Sequence, residues 1–388
     1  MIPNTPLSIP TVHPMQEANK LRVLLGSTQA GWGGGEVYLR NLAKGLRDRG
    51  VEVFLAVRDA SVLQEKMIAE GFTVRALSGK GRNPLQLWNL RAWLKRENIS
   101  VVHCNDSHSL TGLGIAANAV RGLKVVGIRH TMFPIRSVLK YSRVADRVIC
   151  VSHAVSDACV ARGIPQEKLQ VIHAAIEIPT VDAESRESLR KEFLPSSSHR
   201  LIVAVGNLLP CKGHETLVRA VATLKSEGNR VTAVIAGEGE HRPFLESLIR
   251  RLDVTDEVRL LGYRNDPDQL IAAADVVAHP SHSEGLCLTV AAAMILRRPV
   301  VSTNVGGLRD VLGCDPRMRS NGPFAKVFEV GNDAAMAFAL RESFADSGNA
   351  ELLDEASRYA RNQFVTDRMV DATLNLYREL HPRVARAA

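Results

Sequence analysis

"LRVLLGSTQAGWGGGEVYLRNLAKGLRDRG" occupies residues 21–50, and "LIVAVGNLLPCKGHETL" occupies residues 201–217. Both read alike: a short apolar run, a loop holding glycines, then a helix. Further β-branched runs follow the first at 51–57, 99–104, 124–128 and 147–151, with helical stretches at 35–49, 84–97 and 108–120. Runs at 231–237, 257–262, 274–280 and 299–303 follow the second, alternating with helical stretches near 213–227, 241–252, 268–273 and 285–297. Alternating strand and helix builds a parallel sheet covered by helices on both faces. A series that restarts at residue 201 builds it twice. The expected fold class is α/β, two doubly wound Rossmann-like domains facing each other across a cleft. Ligands of such sheets bind beyond the carboxyl ends of the strands, which here is the cleft.

The 388 residues are too many for one ordinary core. The expected division is a Pro-rich disordered tail at 1–19, a first domain at 20–179, a polar linker at 180–199 and a second domain at 200–363. A C-terminal helix within 364–388 is expected to return to the first domain. No apolar run approaches the roughly 20 residues that span a bilayer, and the N-terminus lacks a signal peptide's pattern. Six scattered cysteines without a CxxC pair fit a reducing, cytoplasmic setting. Residues 1–180 carry 23 Lys and Arg against 13 Asp and Glu, while residues 181–388 carry 26 against 28. The basic character belongs to the first half. It suits either an anionic partner or plain solubility.

Five glycines (Gly26, Gly31, Gly33, Gly34 and Gly35) lie between the first run and its helix. Free N–H groups at a helix start bind anions, and glycines allow close approach. The dinucleotide fingerprint G-x-G-x-x-G fails here, since Glu36 or Tyr38 falls in its last place. A phosphate or sugar loop is therefore favoured over an empty one. In the second half Gly206 ends a strand and Lys212 precedes a helix. A lysine there opposes the helix dipole unless an anion is present. "GIRHTMFP" sets Arg129 and His130 at a strand's carboxyl end. "VVHCNDSHS" sets His103, Asp106 and His108 at another, with no convincing third metal ligand. Arg136, Lys140 and Arg143, spaced i, i+4, i+7, would share one helical face suited to anionic lipid heads or simply to solvent. "HSEGLCLTVAAAM", residues 282–294, places Glu284 and Gly285 before an apolar helix.

The second half resembles the retaining glycosyltransferases of family 4, whose fold is the two-Rossmann GT-B architecture. Motifs in order carry the resemblance: "VAVGNLLPCKG", "VIAGEGEHRPFLE", "VRLLGYRNDPDQLIAAADVVAHPS", "HSEGLCLTVAAAMILRRPVVSTNVGG" and "NGPFAKVFEVGN". The first half matches more loosely through "GWGGGEVYLRNLAKGLRDRGVEVFL", "GIRHTMFP" and "VICVSHAVSDACVARGIPQEKLQVIHAAIEIP".

The resemblance implies roles. Lys212 would contact the donor diphosphate, and Glu284 would accept hydrogen bonds from donor-sugar hydroxyls. Gly206, Asn207, Gly237, Gly285, Leu286, Cys287 and Leu288 would complete the donor site. Tyr263 and Arg264 would lie by the base. Gly33, Gly34 and Gly35 would close over the diphosphate, and His130 would lie near the reacting carbon. Arg129, His103 and Asp106 are the acceptor-side candidates. No cofactor and no metal are implied, because the nucleotide sugar is a substrate. Two positions depart from the pattern: Asn207 stands where the family usually has Arg, and Ala292 where it has a second Glu.

The expected activity is transfer of a sugar, with retention, from a nucleotide sugar (UDP-linked) to a cell-envelope glycan or lipid-linked acceptor such as lipopolysaccharide core. The basic first half motivates that acceptor. Peripheral contact with the cytoplasmic membrane through Arg136, Lys140 and Arg143 is expected, and nucleic acid is not. A non-catalytic nucleotide-sugar-binding member is the alternative that the two departures support. A nucleotide-sugar epimerase on the same fold is another, without a matching motif series. A glycoside hydrolase is disfavoured by the lack of paired carboxylates.

Overall fold

The computed structural model describes residues 21–79, 83–345 and 350–381. The tail assigned to 1–19 lies outside the described residues.

Two fully parallel sheets form, as the restarted series requires. The first is seven-stranded, in the order β3-β2-β1-β4-β5-β6-β7. Its strands are β1 Arg22–Ser27, β2 Glu52–Arg58, β3 Thr73–Leu77, β4 Val101–Cys104, β5 Lys124–Arg129, β6 Arg147–Cys150 and β7 Leu169–Val171. The second is six-stranded, in the order β10-β9-β8-β11-β12-β13. Its strands are β8 Arg200–Val205, β9 Val231–Ala236, β10 Val258–Gly262, β11 Val276–His279, β12 Val300–Thr303 and β13 Lys326–Phe328. Strand order reverses beside β1 and again beside β8. Each reversal opens a crevice at the carboxyl edge of its sheet. The central strands are apolar because both faces are covered, and every residue of β9, "VTAVIA", is buried.

Three edge strands lie outside the expected set. β3, β7 and β13 are only partly buried along their length, so they lack the continuous apolar run that marks a central strand. The segment expected as a linker also differs. Residues 180–199 contain the helix Ala183–Phe193, capped by Asp182 and docked on the helix Pro267–Ala273. Leu189 and Phe193, one turn apart, are its buried residues, a stripe too narrow to announce itself in a polar sequence.

The last helix, Thr366–Leu380, packs on the helix Gly34–Asp48 of the first unit. A Cβ added to Gly45 would stand 2.5 Å from Val370 Cγ2, so the glycine sets how closely the two helices approach. Arg49 pairs with Asp367 at 3.0 Å and Asp371 at 2.6 Å across this seam. Among the described residues no helix is long and apolar enough to cross a membrane.

Candidate active site

A cleft of about 390 Å³ lies between the carboxyl edges of the two sheets. Gly34, Gly35 and His130 line it from the first unit, and Lys212, Glu284 and Leu288 from the second. Two helices begin at its wall. Gly34–Asp48 starts from Gly33 and Leu288–Ile295 starts from Cys287, and neither start has a side-chain cap. A third, His214–Ser226, starts uncapped at Gly213 just beyond Lys212. Elsewhere both kinds occur: Ser107–Asn118 is capped by Asp106 and Val62–Ala69 by Ser61, whereas Arg242–Arg251 and Thr366–Leu380 start without a side-chain cap. Uncapped N–H groups facing a cleft form a field that favours an anion.

Glu284 forms the floor. It is 7% exposed. Its Oε1 accepts from Lys212 Nζ at 2.5 Å, His279 Nε2 at 2.8 Å and Ser281 Oγ at 2.7 Å. Burial opposes the charge on its carboxyl, but His279 and Lys212 prevail and hold it down at about 2. Burial likewise opposes the charge on Lys212, and Glu284 outweighs it, so the ammonium's pKa is raised. The anion that a lysine at this helix start calls for is thus, in the unliganded protein, Glu284 itself.

The loop carrying Glu284 is pinned by glycines. The helix expected from 285 begins only at Leu288, so residues 284–287 run as loop. A Cβ on Gly285 would lie 1.8 Å from the carbonyl oxygen of His130, so the two units meet at this point. Gly307 N–H donates to Glu284 O at 2.9 Å from the other side. Gly206 and Gly237 close the strand ends behind. Gly237 has φ +153°, and a Cβ there would stand 2.0 Å from Gly206 O. Asn207 is exposed and lines the cleft, adding no charge to it. Leu286 and Cys287 complete the loop wall.

His130 follows β5. Its Nε2 is 3.0 Å from Asn105 Oδ1, and Asn105 Nδ2 donates to Gly35 O at 2.9 Å. Burial pushes the imidazole down to about 4, with Asp106 opposing, so the ring is neutral at neutral pH. It can exchange hydrogen bonds with a substrate but brings no charge. Tyr263 stands 61% exposed beyond β10. Arg264 beside it is held by both oxygens of Asp266, at 2.8 and 2.7 Å.

Several expected residues sit elsewhere. His103 is 0% exposed, and its Nδ1 meets Tyr377 OH at 2.7 Å, so it joins the last helix to the first sheet and does not reach the cleft. Asp106 spends its oxygens on Thr28 and on the N–H groups of His108 and Ser109. Arg129 donates to the carbonyls of Thr131 and Phe133, bracing the loop after His130. Arg136, Lys140 and Arg143 do not share a helical face. Helix covers only the short turn around Lys140–Val144, Arg136 lies in a bend before it, and Lys140 Nζ turns to Ser107 O at 3.2 Å. Pro134, at which no helix can run on from β5, precedes that bend. Ala292, in the interior of the helix Leu288–Ile295, is 3% exposed and lines no part of the cleft. His279 and Ser281 were not singled out from the sequence. The available signal was a histidine ending a buried strand five residues before the carboxylate.

Residues 32–178 match the family Glycosyltransferase Family 4, and residues 185–363 match Glycosyl transferases group 1. A D-inositol 3-phosphate glycosyltransferase of Xylanimonas cellulosilytica is 30% identical over 400 residues, covering 90% of this chain and 93% of the relative. An uncharacterized glycosyltransferase of Methanocaldococcus jannaschii is 29% identical over 240 residues, 60% of each chain. Among solved structures, Anabaena HepE in complex with UDP and glucose superposes with a TM-score of 0.81 at 20% identity, over 92% of this chain and 99% of that one.

Proposed function

Because the chain belongs to the group 1, family 4 glycosyltransferases, with their two-domain GT-B fold, we propose that it moves a sugar from a UDP-linked donor onto an anionic cell-envelope acceptor, a glycan or lipid-linked glycan, with retention of configuration. The observation that carries this reading is the pairing of half-buried Lys212 with buried Glu284 on the cleft floor, beside uncapped helix starts from both units. Lys212 and the helix N–H groups form a positive field for the departing diphosphate. Glu284, ionised at neutral pH, accepts from sugar hydroxyls and orients the ring. In a retaining transfer of this kind the leaving phosphate takes the acceptor's proton on the face it departs from. The protein then has to stabilise the diphosphate and an oxocarbenium-like sugar, and exclude water.

The positive groups on the cleft wall make the reaction metal-independent in this reading, so EDTA leaves turnover unchanged. The acceptor faces the basic first unit, where exposed Phe133 and Leu139 neighbour exposed Arg136 and Arg143. That segment is the proposed contact with an anionic membrane.

A panel of UDP-, GDP- and ADP-sugars, scored for donor hydrolysis and transfer, tests the activity. UDP is placed first because HepE, which shares the fold, was solved with it. Phosphorylated polyols join the acceptors because the Xylanimonas relative is a D-inositol 3-phosphate glycosyltransferase. A folded protein that binds UDP but turns over no donor overturns the enzymatic reading. Binding to anionic vesicles no better than to neutral ones at low salt removes the membrane contact.

A further inference from the structure

His279 ends β11 at 4% exposure, directly beneath Glu284. Its Nε2 faces three polar atoms: Glu284 Oε1 at 2.8 Å, Ser281 Oγ at 3.1 Å and Cys287 Sγ at 3.3 Å. The hydroxyl of Ser281 also donates to Glu284. The titratable groups around the ring are Glu284 and Cys287 on the loop, Lys212 across Glu284, and His214 at the start of the next helix. His214 is itself held neutral, first by burial and then by the charge of His279. Burial disfavours the His279 imidazolium, yet Cys287 and Glu284 outweigh it and raise the ring to about 9.

The geometry poses a problem for donor binding. Lys212 is the cation nearest the expected diphosphate, and in the unliganded protein it is bonded to Glu284. When Lys212 turns to phosphate, Glu284 loses a partner while still buried. An unpaired buried carboxylate takes up a proton or is strongly destabilising. A protonated Glu284 is a weaker acceptor for sugar hydroxyls.

We propose that His279 is a positioning residue: its imidazolium keeps Glu284 ionised and aimed at the donor sugar while Lys212 is released to the diphosphate. It thereby adds a second cation to a site whose Asn207 contributes none. This inference rests on the transferase reading and names a residue within it.

The test has two arms on the full chain. Nitrogen-15 NMR of the histidine rings, free and with UDP, reads the protonation of His279 without any turnover. The expected result is a charged ring at neutral pH in both states, discharging near pH 9. A ring neutral at neutral pH overturns the proposal. The second arm is His279→Gln, which keeps an N–H donor of similar reach and removes the charge. Donor turnover is expected to fall about tenfold, the difference between a charged and a neutral hydrogen bond. The wild type is expected to lose activity as pH rises through 9, and that loss should vanish in the variant. An alkaline limb that persists unchanged in His279→Gln overturns the proposal. Failure of the transferase reading looks different: the wild type then consumes no donor, whether or not it binds UDP and whatever the ring's charge.

Discussion

Glu284→Gln removes one charge and preserves shape, so its consequences follow from the bonds on the cleft floor. The carboxylate accepts from Lys212, His279 and Ser281 through one oxygen, leaving the other for substrate. The amide oxygen of Gln still accepts, so each sugar hydroxyl held by Glu284 loses only the difference between a charged and a neutral hydrogen bond, about tenfold in turnover. Two such bonds place the expected loss near a hundredfold. Stability changes as well. Buried His279 and half-buried Lys212 become two cations around a neutral amide, and breaking a fully buried pair costs about 3–5 kcal/mol, an upper bound here. His279 relieves part of this by releasing its proton. The expected outcome is a turnover loss of about two orders of magnitude with a lowered melting temperature. Donor hydrolysis, UDP calorimetry and thermal unfolding measure it together. Turnover within about threefold of wild type, with UDP still bound, refutes the role assigned to Glu284.

Lys212→Ala should weaken UDP about 10- to 100-fold and leave uridine nearly unaffected, because the lost bond is to phosphate; equal losses for both would contradict it. Gly285→Ala places a methyl 1.8 Å from His130 O, so the two units cannot meet as they do; turnover should fall sharply while UDP binding to the second unit largely survives. Asp310→Asn should destabilise the protein by about 3 kcal/mol in urea unfolding, since a fully buried carboxylate loses its charge beside two histidines. The pH dependence of stability should have two limbs. Glu284's folded pKa, about 2, lies below its unfolded value, so its contribution is present above the ordinary carboxylate range and is lost as pH falls toward 2. His279's is raised to about 9, so its contribution is complete below the ordinary imidazole range and is lost as pH rises through 9. In Glu284→Gln both limbs should shrink together.

The sequence announces every strand at the centre of a sheet and hides three of the four at the edges. Nine of the ten β-branched runs mark the central strands and the tenth marks the edge strand β10, whereas β3, β7 and β13 expose part of their length and lack a continuous apolar run. The same physics conceals the helix Ala183–Phe193, whose buried stripe is two residues wide. At the site, Lys212 was legible because a lysine at a helix start opposes the helix dipole without an anion, and Glu284 because its loop resembles the family's motif. His103 and Asp106 look equally functional in one dimension. Only the tertiary structure shows that Tyr377, 274 residues away, occupies the first, and that the second caps its own helix. His279 escaped for the converse reason: nothing in "ADVVAHPS" says that its ring turns back under the loop that follows.

Asp310 connects the meeting of the two units with the donor loop. Its Oδ2 accepts from the backbone N–H of His153 at 2.8 Å, from His153 Nδ1 at 2.9 Å and from His173 Nε2 at 2.9 Å, all from the first unit. Burial opposes its charge, and those donors hold its carboxyl well below the usual range. The helix that carries Asp310, Leu308–Val311, springs from the turn Gly306–Gly307. That turn holds the loop: Gly307 N–H donates to Glu284 O, and a Cβ on Gly306 would stand 2.2 Å from the same oxygen. One short turn therefore joins the histidines of the first unit to the backbone of Glu284. The contacts that tie the units together at Asp310 and the contacts that seat Glu284 share that turn. This coupling distinguishes Asp310→Asn from an ordinary stability variant: kcat should fall at temperatures where the protein remains fully folded.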